Sequence, residues 1–381
     1  MQEFILSVLI SSLWVLAGSY FLFTLVLKYL WNKLPQKFAA GEAKDFITVI
    51  IPVRNEQDNI VNLLSDLNAQ TFDRTLIEVL VIDDGSTDDT AILVNKCIQD
   101  FKVAIRLISL PEEKTTSPKK RAIETAISQA TGSLIVTTDG DCRVSPGWLN
   151  AIADCQKATG AKLISGPVTF TGEVSLTDHL QTVEFASLIG SGASAISAGY
   201  PSLCNGANLS YQKQTFYEVG GYDGVRHIAS GDDEFLMHKI SARYPNGIHF
   251  LKDPAAIVRT AAHKDLKLFF RQRKRWASKW KHYQSKTPLI LALYIFLCNF
   301  SLILSLGLFA TGYLPTIIFL GLTGLKIIPE WLFLGSVLRF LNKGKSVLYI
   351  PVTQLIYPFY VCFFGLVAQK PQYEWKGRKL V

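Results

Sequence analysis

Phe4 to Leu30 is an almost unbroken apolar run, and about 20 such residues suffice for a helix to cross a bilayer. No basic stretch precedes it and no small-residue cleavage site follows, so it reads as an anchor and not as a cleaved signal. From about residue 46 the pattern changes. "FITVIIPV", "IEVLVIDD" and "LIVTTD" are short β-branched runs of the kind that form buried parallel strands. Helical patterns separate them: Asp58 to Gln70, Asp88 to Phe101 and Pro118 to Ala130. This alternation predicts an α/β domain with a doubly wound, mostly parallel sheet and ligands at the carboxyl ends of its strands.

Lys264 to Lys286 repeats aromatic and apolar residues at helical spacing (Leu266, Phe269, Phe270, Trp276, Trp280, Tyr283) with Lys and Arg between them. That pattern predicts a basic amphipathic helix lying in a membrane interface. Beyond Pro288 come three apolar segments, roughly 289–313, 315–340 and 346–369. Lys28, Lys33 and Lys37 follow the first span, which puts the N-terminus outside and the next domain in the cytoplasm. Three full crossings would then carry the basic tail outside. Lys326 and Glu330 interrupt the middle segment, and Pro351 and Pro358 the last. One of the three is therefore expected to be re-entrant or broken, leaving the tail cytoplasmic. The expected organisation is an N-terminal transmembrane helix (1–32), a cytoplasmic domain (46–258) and the interfacial helix (259–287). C-terminal transmembrane segments (288–369) and a basic cytoplasmic tail (370–381) complete it.

Composition supports a membrane protein. The 381 residues are 49% hydrophobic and 18% charged, and the mean hydropathy is +0.23, too apolar for a purely soluble protein. The net charge of +8 is concentrated around 259–286 and in the tail, which suits anionic headgroups. No zinc-finger spacing or RNA-binding motif supports a nucleic-acid partner. Six cysteines without a CxxC pair suggest reduced, packed thiols.

The chemistry sits at the strand ends. After the first strand, "IIPVRNEQDN" offers Pro52, Asn55, Glu56 and Asp58; after the second, "VIDDGSTDDT" offers Asp83 and Asp84. Each loop alone reads as helix capping. Two such loops at adjacent strand ends also suit a nucleoside, held by hydrogen bonds to base and ribose. No GxxxxGK[ST] motif occurs, which excludes a P-loop hydrolase. After the third strand, Asp139 and Asp141 flank one glycine. They form either a polar turn or a pair of oxygen ligands for Mg2+ or Mn2+, completed by substrate phosphates. "SPKKRAIETAI" adds Lys119, Lys120 and Arg121, either a solvated helix face or cations for a phosphate. Further on, "CNGANLSYQK" is a small-residue turn, and Asp232, Asp233 and Glu234 follow Gly231 before an apolar helix. Three adjacent acids exceed what capping requires. Clustered carboxylates raise one another's pKa, and one so raised could act as general base. In "RQRKRW", Gln272 and Arg275 share a helix face beside Trp276. The tryptophan is either an interfacial anchor or a platform for an acceptor, and Arg275 or Arg273 meets either lipid headgroups or a leaving diphosphate.

Taken together, "VIIPVRNE", "VIDDGSTD", "TTDGD", "CNGANLSYQK", "GDDEFL" and "QRKRW", in this order and spacing, resemble the membrane-bound family-two glycosyltransferases. That family includes ceramide glucosyltransferases and hyaluronan, chitin, cellulose and poly-N-acetylglucosamine synthases. The resemblance covers 46–285 and extends loosely to "WKGR" in the tail. It implies a GT-A nucleotide-diphospho-sugar transferase domain and an inverting mechanism, with a nucleotide-sugar donor, most simply a UDP-sugar. By the same resemblance Pro52, Glu56, Asp83 and Asp84 line the nucleoside pocket, and Asp139 and Asp141 match the DxD motif that holds Mg2+ or Mn2+ on the donor diphosphate. Asp233 would be the catalytic base beside Asp232, which stands where many members carry Glu. Gln272, Arg275 and Trp276 match the QxxRW motif at the diphosphate and acceptor end. Lys119 and Arg273 join the donor side, and Asn205 and Gly206 the acceptor side.

The expected function is transfer of a hexose of glucose or N-acetylglucosamine type to a membrane lipid or lipid-linked acceptor. A processive polysaccharide synthase is the alternative with the same motifs. A catalytically silent sugar-nucleotide-binding membrane protein is the alternative of another class, and the intact Asp139, Asp141, Asp233 and Arg275 count against it.

Overall fold

In a computed structural model, residues 1–39, 45–111, 115–277, 287–367, 373–375 and 378–380 are described. The chain divides into two compact units. The larger comprises Lys33–Glu173, Ser191–Ala262 and Gln372–Val381. Its centre is a seven-stranded sheet in the order β3-β2-β1-β4-β7-β5-β8. The strands are β1 (Ile47–Val53), β2 (Ile77–Asp83), β3 (Ala104–Ser109), β4 (Leu134–Thr137), β5 (Leu163–Ser165), β7 (Leu209–Gln212) and β8 (Ile248–Phe250). A separate parallel pair joins β6 (Val168–Thr171) to β9 (Val258–Ala261).

Every neighbouring pair in the seven-stranded sheet is parallel except those made by β7, which runs against both β4 and β5. Ile47, Val49, Ile50 and Ile51 of β1 and Val79, Leu80, Val81 and Ile82 of β2 are fully buried. Burial of each such side chain contributes about 1.5–3 kcal/mol, which is why continuous apolar runs become central strands. The three predicted helices form as α2 (Ile60–Asn68), α3 (Thr90–Asp100) and α4 (Pro118–Gln129). In α2 the buried residues are Ile60, Leu63, Leu64 and Leu67, one helical face. Three further helices belong wholly to this unit: α5 (Trp148–Thr159), α7 (Lys213–Glu218) and α8 (Asp232–Arg243). The tail contributes an antiparallel pair, β10 (Tyr373–Trp375) and β11 (Arg378–Leu380).

The second unit comprises Met1–Asn32, Val174–Gly190 and His263–Pro371. It contains α1 (Gln2–Lys33, to Asn32), the first part of α6 (Leu176–Ser197), α9 (Leu266–Ala277), α10 (Thr287–Ala310), α11 (Thr316–Phe340) and α12 (Ile350–Val367). Four helical stretches among the described residues are long and apolar enough to cross a membrane: Glu3–Lys33, Pro288–Ala310, Thr316–Phe340 and Gly344–Leu366. Pro329 lies inside α11 and Pro358 inside α12, and a short 3-10 helix, Gly344–Tyr349, leads into α12. A proline inside a helix deletes one backbone hydrogen bond. Neighbouring helices tolerate that loss in an apolar bundle.

Lys326 and Glu330 do not break α11 either. They pair at 2.8 Å one turn apart, Lys326 also donates to Gln354 of α12 at 2.7 Å, and the Tyr20 hydroxyl of α1 donates to Glu330. Buried charge is thereby compensated and three helices are tied together. Of the expected interfacial helix, α9 is described as far as Ala277; Trp280 and Tyr283 lie outside the described residues.

Candidate active site

The three carboxyl-end loops of the parallel strands are laced to one another. Asp84 N–H donates to the Val53 carbonyl at 3.0 Å, and Arg54 Nη1 donates to the carbonyls of Asp84 (2.6 Å) and Gly85 (2.9 Å). Asn55 adopts φ 55°, a conformation asparagine tolerates, and its Oδ1 accepts the Thr87 N–H at 2.8 Å. Asp83 Oδ1 accepts from the Ser86 amide (2.9 Å) and hydroxyl (2.5 Å). Glu56 accepts from Asn59 Nδ2 at 2.9 Å. Glu56, Asp83 and Asp84 are all buried, while Pro52 in β1 is half-buried.

Gly140 brings the third strand end against the first. A Cβ there would lie 3.0 Å from both Glu56 Cγ and Val53 Cγ1, so the Asp139–Asp141 turn packs directly on the Glu56 side chain. Asp141 is exposed, and its Oδ2 accepts from the Thr260 hydroxyl of β9 at 3.1 Å.

The reversed strand β7 supplies the other wall. Thr137 pairs with Leu209, which sets the turn before β7 beside the end of β4. Thr137 Oγ1 donates to the Gly206 carbonyl at 2.9 Å, and Asn205 Oδ1 accepts the Ala207 N–H at 2.9 Å. Gly206 N–H in turn donates to Asp233 Oδ2 at 3.0 Å, while Asp233 Oδ1 accepts the Glu234 N–H at 2.8 Å. The acid pair opens α8 behind Gly231, whose φ of 80° suits glycine. Carboxylates in a first helical turn are also favoured by the helix dipole.

Lys119 joins the two acidic groups. Its Nζ is 2.6 Å from Asp139 Oδ1 and 3.4 Å from Asp232 Oδ2. Burial alone would push this ammonium down, but Asp139, Asp232 and Asp233 outweigh it and hold the group above its usual range. A Cβ on Gly206 would stand 3.1 Å from Asp232 Oδ2 and 3.3 Å from Lys119 Nζ, so a side chain at this turn would press on both charged groups. Asp139, Asp232, Asp233, Lys119, Asn205 and Gly206 therefore form one constellation, from segments far apart in sequence.

Among the described residues no group of three or more His, Cys, Asp or Glu side chains could hold a metal by itself. Two carboxylates on a short turn suit a hard cation whose remaining ligands are phosphate oxygens and water, the usual arrangement for Mg2+. They do not suit a protein-enclosed metal. The Asp139 side chain is 38% exposed, which leaves it accessible to a substrate-borne ion.

The remaining motif residues lie on α9, in the helical unit. Arg273, expected at the leaving diphosphate, is buried at 4% exposure and bound to Glu184 Oε2 of α6 at 2.5 Å. Its guanidinium lies 4.2 Å from the Trp276 ring and 4.7 Å from the Phe269 ring. Tyr360 donates to the other Glu184 oxygen at 3.0 Å. A buried arginine needs such a partner, so Arg273 holds α9 in place. Gln272 accepts from Arg273 Nη1 at 2.8 Å, and Gln272 and Arg275 remain partly exposed. Burial lowers the His263 pKa; a hydrogen bond with Gln272 partly offsets this, and the charges of Arg273 and Arg275 add to the lowering.

Lys120, expected on a solvated helix face or at a phosphate, is instead buried at 1% exposure, and Thr260 and Glu184 carry no sequence signal of their part. For Lys120 a signal existed: it shares the α4 face of Ile123 and Ile127, three and seven residues on, and that face is buried. All six cysteines are free thiols.

Residues 48–225 match the family described as Glycosyl transferase family 2. Glycosyltransferase AglE of Haloferax volcanii is 34% identical over 126 residues, which are 33% of this chain and 40% of AglE. Poly-beta-1,6-N-acetyl-D-glucosamine synthase of Staphylococcus aureus is 27% identical over 274 residues, 71% of this chain and 62% of that one. The chain thus spans less than two thirds of the length of either relative. Mannosyltransferase PcManGT from Pyrobaculum calidifontis, solved in complex with GDP-Man and Mn2+, superposes with a TM-score of 0.60. That alignment covers 92% of this chain and 99% of the mannosyltransferase at 20% identity, a likeness of fold. The mostly parallel GT-A domain expected from the motifs is the fold found.

Proposed function

Taking residues 48–225 as a glycosyl transferase family 2 domain, we propose that the protein is an inverting hexosyltransferase. It moves a sugar from a nucleotide-diphosphate donor, most simply a UDP-sugar, to a membrane lipid or lipid-linked acceptor. The observation that carries this reading is the Lys119 ammonium between Asp139 and Asp232, with Asp233 bonded to Gly206 beside them. It supports a division of labour between two acidic groups in one crevice.

In that division Pro52, Glu56, Asp83 and Asp84 receive the nucleoside. Asp139 and Asp141 would hold Mg2+ or Mn2+, which supplies positive charge to the leaving diphosphate. Lys119 adds a second cation on the same side. Asp233 takes the proton of the acceptor hydroxyl as its oxygen bonds to the anomeric carbon and the bond to the diphosphate breaks. The configuration inverts because no covalent enzyme intermediate intervenes. Asn205 and Gly206, beside Asp233, fall to the acceptor. The roles of Gln272 and Arg275 at the diphosphate and of Trp276 at the acceptor rest on the family pattern; Arg273 is occupied by Glu184.

Four long apolar helices and the lysines after the first support a multi-pass integral membrane protein with a cytoplasmic catalytic domain, in the plasma or inner membrane if the source is bacterial. Purified full-length protein with Mn2+ and a panel of UDP- and GDP-sugars tests the reading. Transfer or donor hydrolysis that is lost in Asp233→Asn, with donor binding retained, is the expected result. Unchanged turnover in that variant would remove the base assignment. A single glycolipid product supports lipid transfer. A ladder of rising length would instead identify a processive polysaccharide synthase, the activity in the name of the Staphylococcus relative.

A further inference from the structure

Lys120 neighbours Lys119 in sequence but has a different fate. It is 1% exposed. Its Nζ donates to the carbonyls of Val225 (2.9 Å), Ile228 (2.5 Å) and Ser230 (3.1 Å). The Phe235 and Tyr222 ring centroids lie 5.1 and 6.0 Å away. An ammonium has three donors and no acceptor, so three converging carbonyls satisfy it completely while the rings favour its charge. The Ser117 hydroxyl reinforces the cage by donating to the Ile228 carbonyl at 3.1 Å. Backbone carbonyls seldom turn inward together in a loop, because each must find a donor. Here one side chain from α4 supplies them all.

The caged loop ends at Ser230, and the next residues are Gly231, Asp232 and Asp233. We propose that Lys120 is a positioning residue for the acid pair. Its ammonium fixes the loop 222–230 from the inside and thereby sets where α8 begins and where the Asp233 carboxylate stands. The sequence "KK" then divides two tasks within one helical turn: Lys119 faces the carboxylates, and Lys120 holds the loop that delivers two of them. This inference rests on Asp233 being the base, but its structural half can be tested without activity.

The test compares full-length wild type with Lys120→Ala and with Lys120→Gln, whose amide keeps two donors for the carbonyls. Hydrogen exchange should show faster exchange in Lys120→Ala for amides of 222–234, with β1, β2 and β4 unchanged. Lys120→Gln should fall between the two. If exchange in 222–234 is unaltered in both variants, the proposal is overturned, whether or not a substrate is known.

With a working donor, kcat of Lys120→Ala should fall by about 100-fold, the cost of a misplacement of the order of 1 Å. Donor KM should change little, because the loops at 52–56 and 83–84 are untouched. Added n-butylammonium should restore part of the lost kcat in Lys120→Ala and none in Asp233→Asn. Equal losses in kcat and donor affinity, without amine rescue, would mean that Lys120 merely supports the fold. A wild type inactive with every donor would count against the transferase reading and leave the exchange result to decide the cage.

Discussion

Lys119 and Asp139 form a hydrogen-bonded ion pair, Nζ to Oδ1 at 2.6 Å, so the carboxylate assigned to a metal already has a cation bound to it. A divalent ion arriving without a donor must compete with that ammonium. Lys119→Met should therefore bind Mn2+ more tightly in the absence of donor, by roughly fivefold for a partly exposed pair, while its donor KM rises. Calorimetric titration with Mn2+ alone measures the first effect. Unchanged affinity would show that Asp139 is not contested.

The partner of Asp141 comes from β9. Removing the hydroxyl that holds its Oδ2 should weaken metal binding about tenfold, the usual scale for an outer group orienting a ligand. Electron paramagnetic resonance of Mn2+ with Thr260→Val checks this. Thr260→Ser should keep wild-type affinity.

Glu78, on β2, gives a pH-dependent contribution to folding. Burial alone would raise its carboxyl, but hydrogen bonds from Thr48, Thr131 and Gly132 outweigh burial and hold it below the usual carboxylate range. A carboxyl whose pKa is depressed by folding stabilises the protein fully above its unfolded pKa of about 4.3. The contribution is lost as pH falls through the lower folded value. Glu78→Gln should thus lose stability at pH 7 and lose less at pH 3, so the two melting curves converge on acidification. Parallel displacement at both pH values would contradict the assignment.

Arg273 and Glu184 should behave as a unit. Arg273→Met leaves a buried carboxylate with Tyr360 as its remaining hydrogen-bond donor in the constellation described above, a loss of about 3–5 kcal/mol. Adding Glu184→Leu should recover much of it, because an apolar pair avoids the uncompensated charge. Thermal unfolding of the singles and the double in one detergent gives the coupling. Additive losses would mean that the pair does not hold α9.

Much of the sheet was legible because β1, β2 and β4 are buried on both faces and their apolar runs are continuous. β5 ("LIS"), β7 ("LSYQ") and β8 ("IHF") are as short as β4 or shorter and, unlike its apolar "LIV", are interrupted by polar residues, so the reversed strand left no signature. At the site, residue types announced Asp83, Asp84, Asp139, Asp141 and Asp233, since clustered acids at strand ends are conspicuous. Their supports were not legible. Glu184 sits in an ordinary helical stretch and Thr260 in an ordinary strand, and only tertiary pairing gives each its part. Arg273 illustrates the opposite case: its motif position suggested a substrate contact, and the cost of burying an unpaired guanidinium explains why it has a carboxylate instead.

The reversal of β7 also bears on the order in which the molecule is built. β1, β2 and β3 pair in parallel across connections of moderate length, so the part of the sheet that carries Glu56, Asp83 and Asp84 can consolidate once residue 109 is free to fold. The wall that carries Gly206 requires β4 to wait for β7, a pairing of Thr137 with Leu209, and such distant closures are slow. On a chain synthesised from its N-terminus, the loops proposed here for the donor would thus exist before the residue proposed as base.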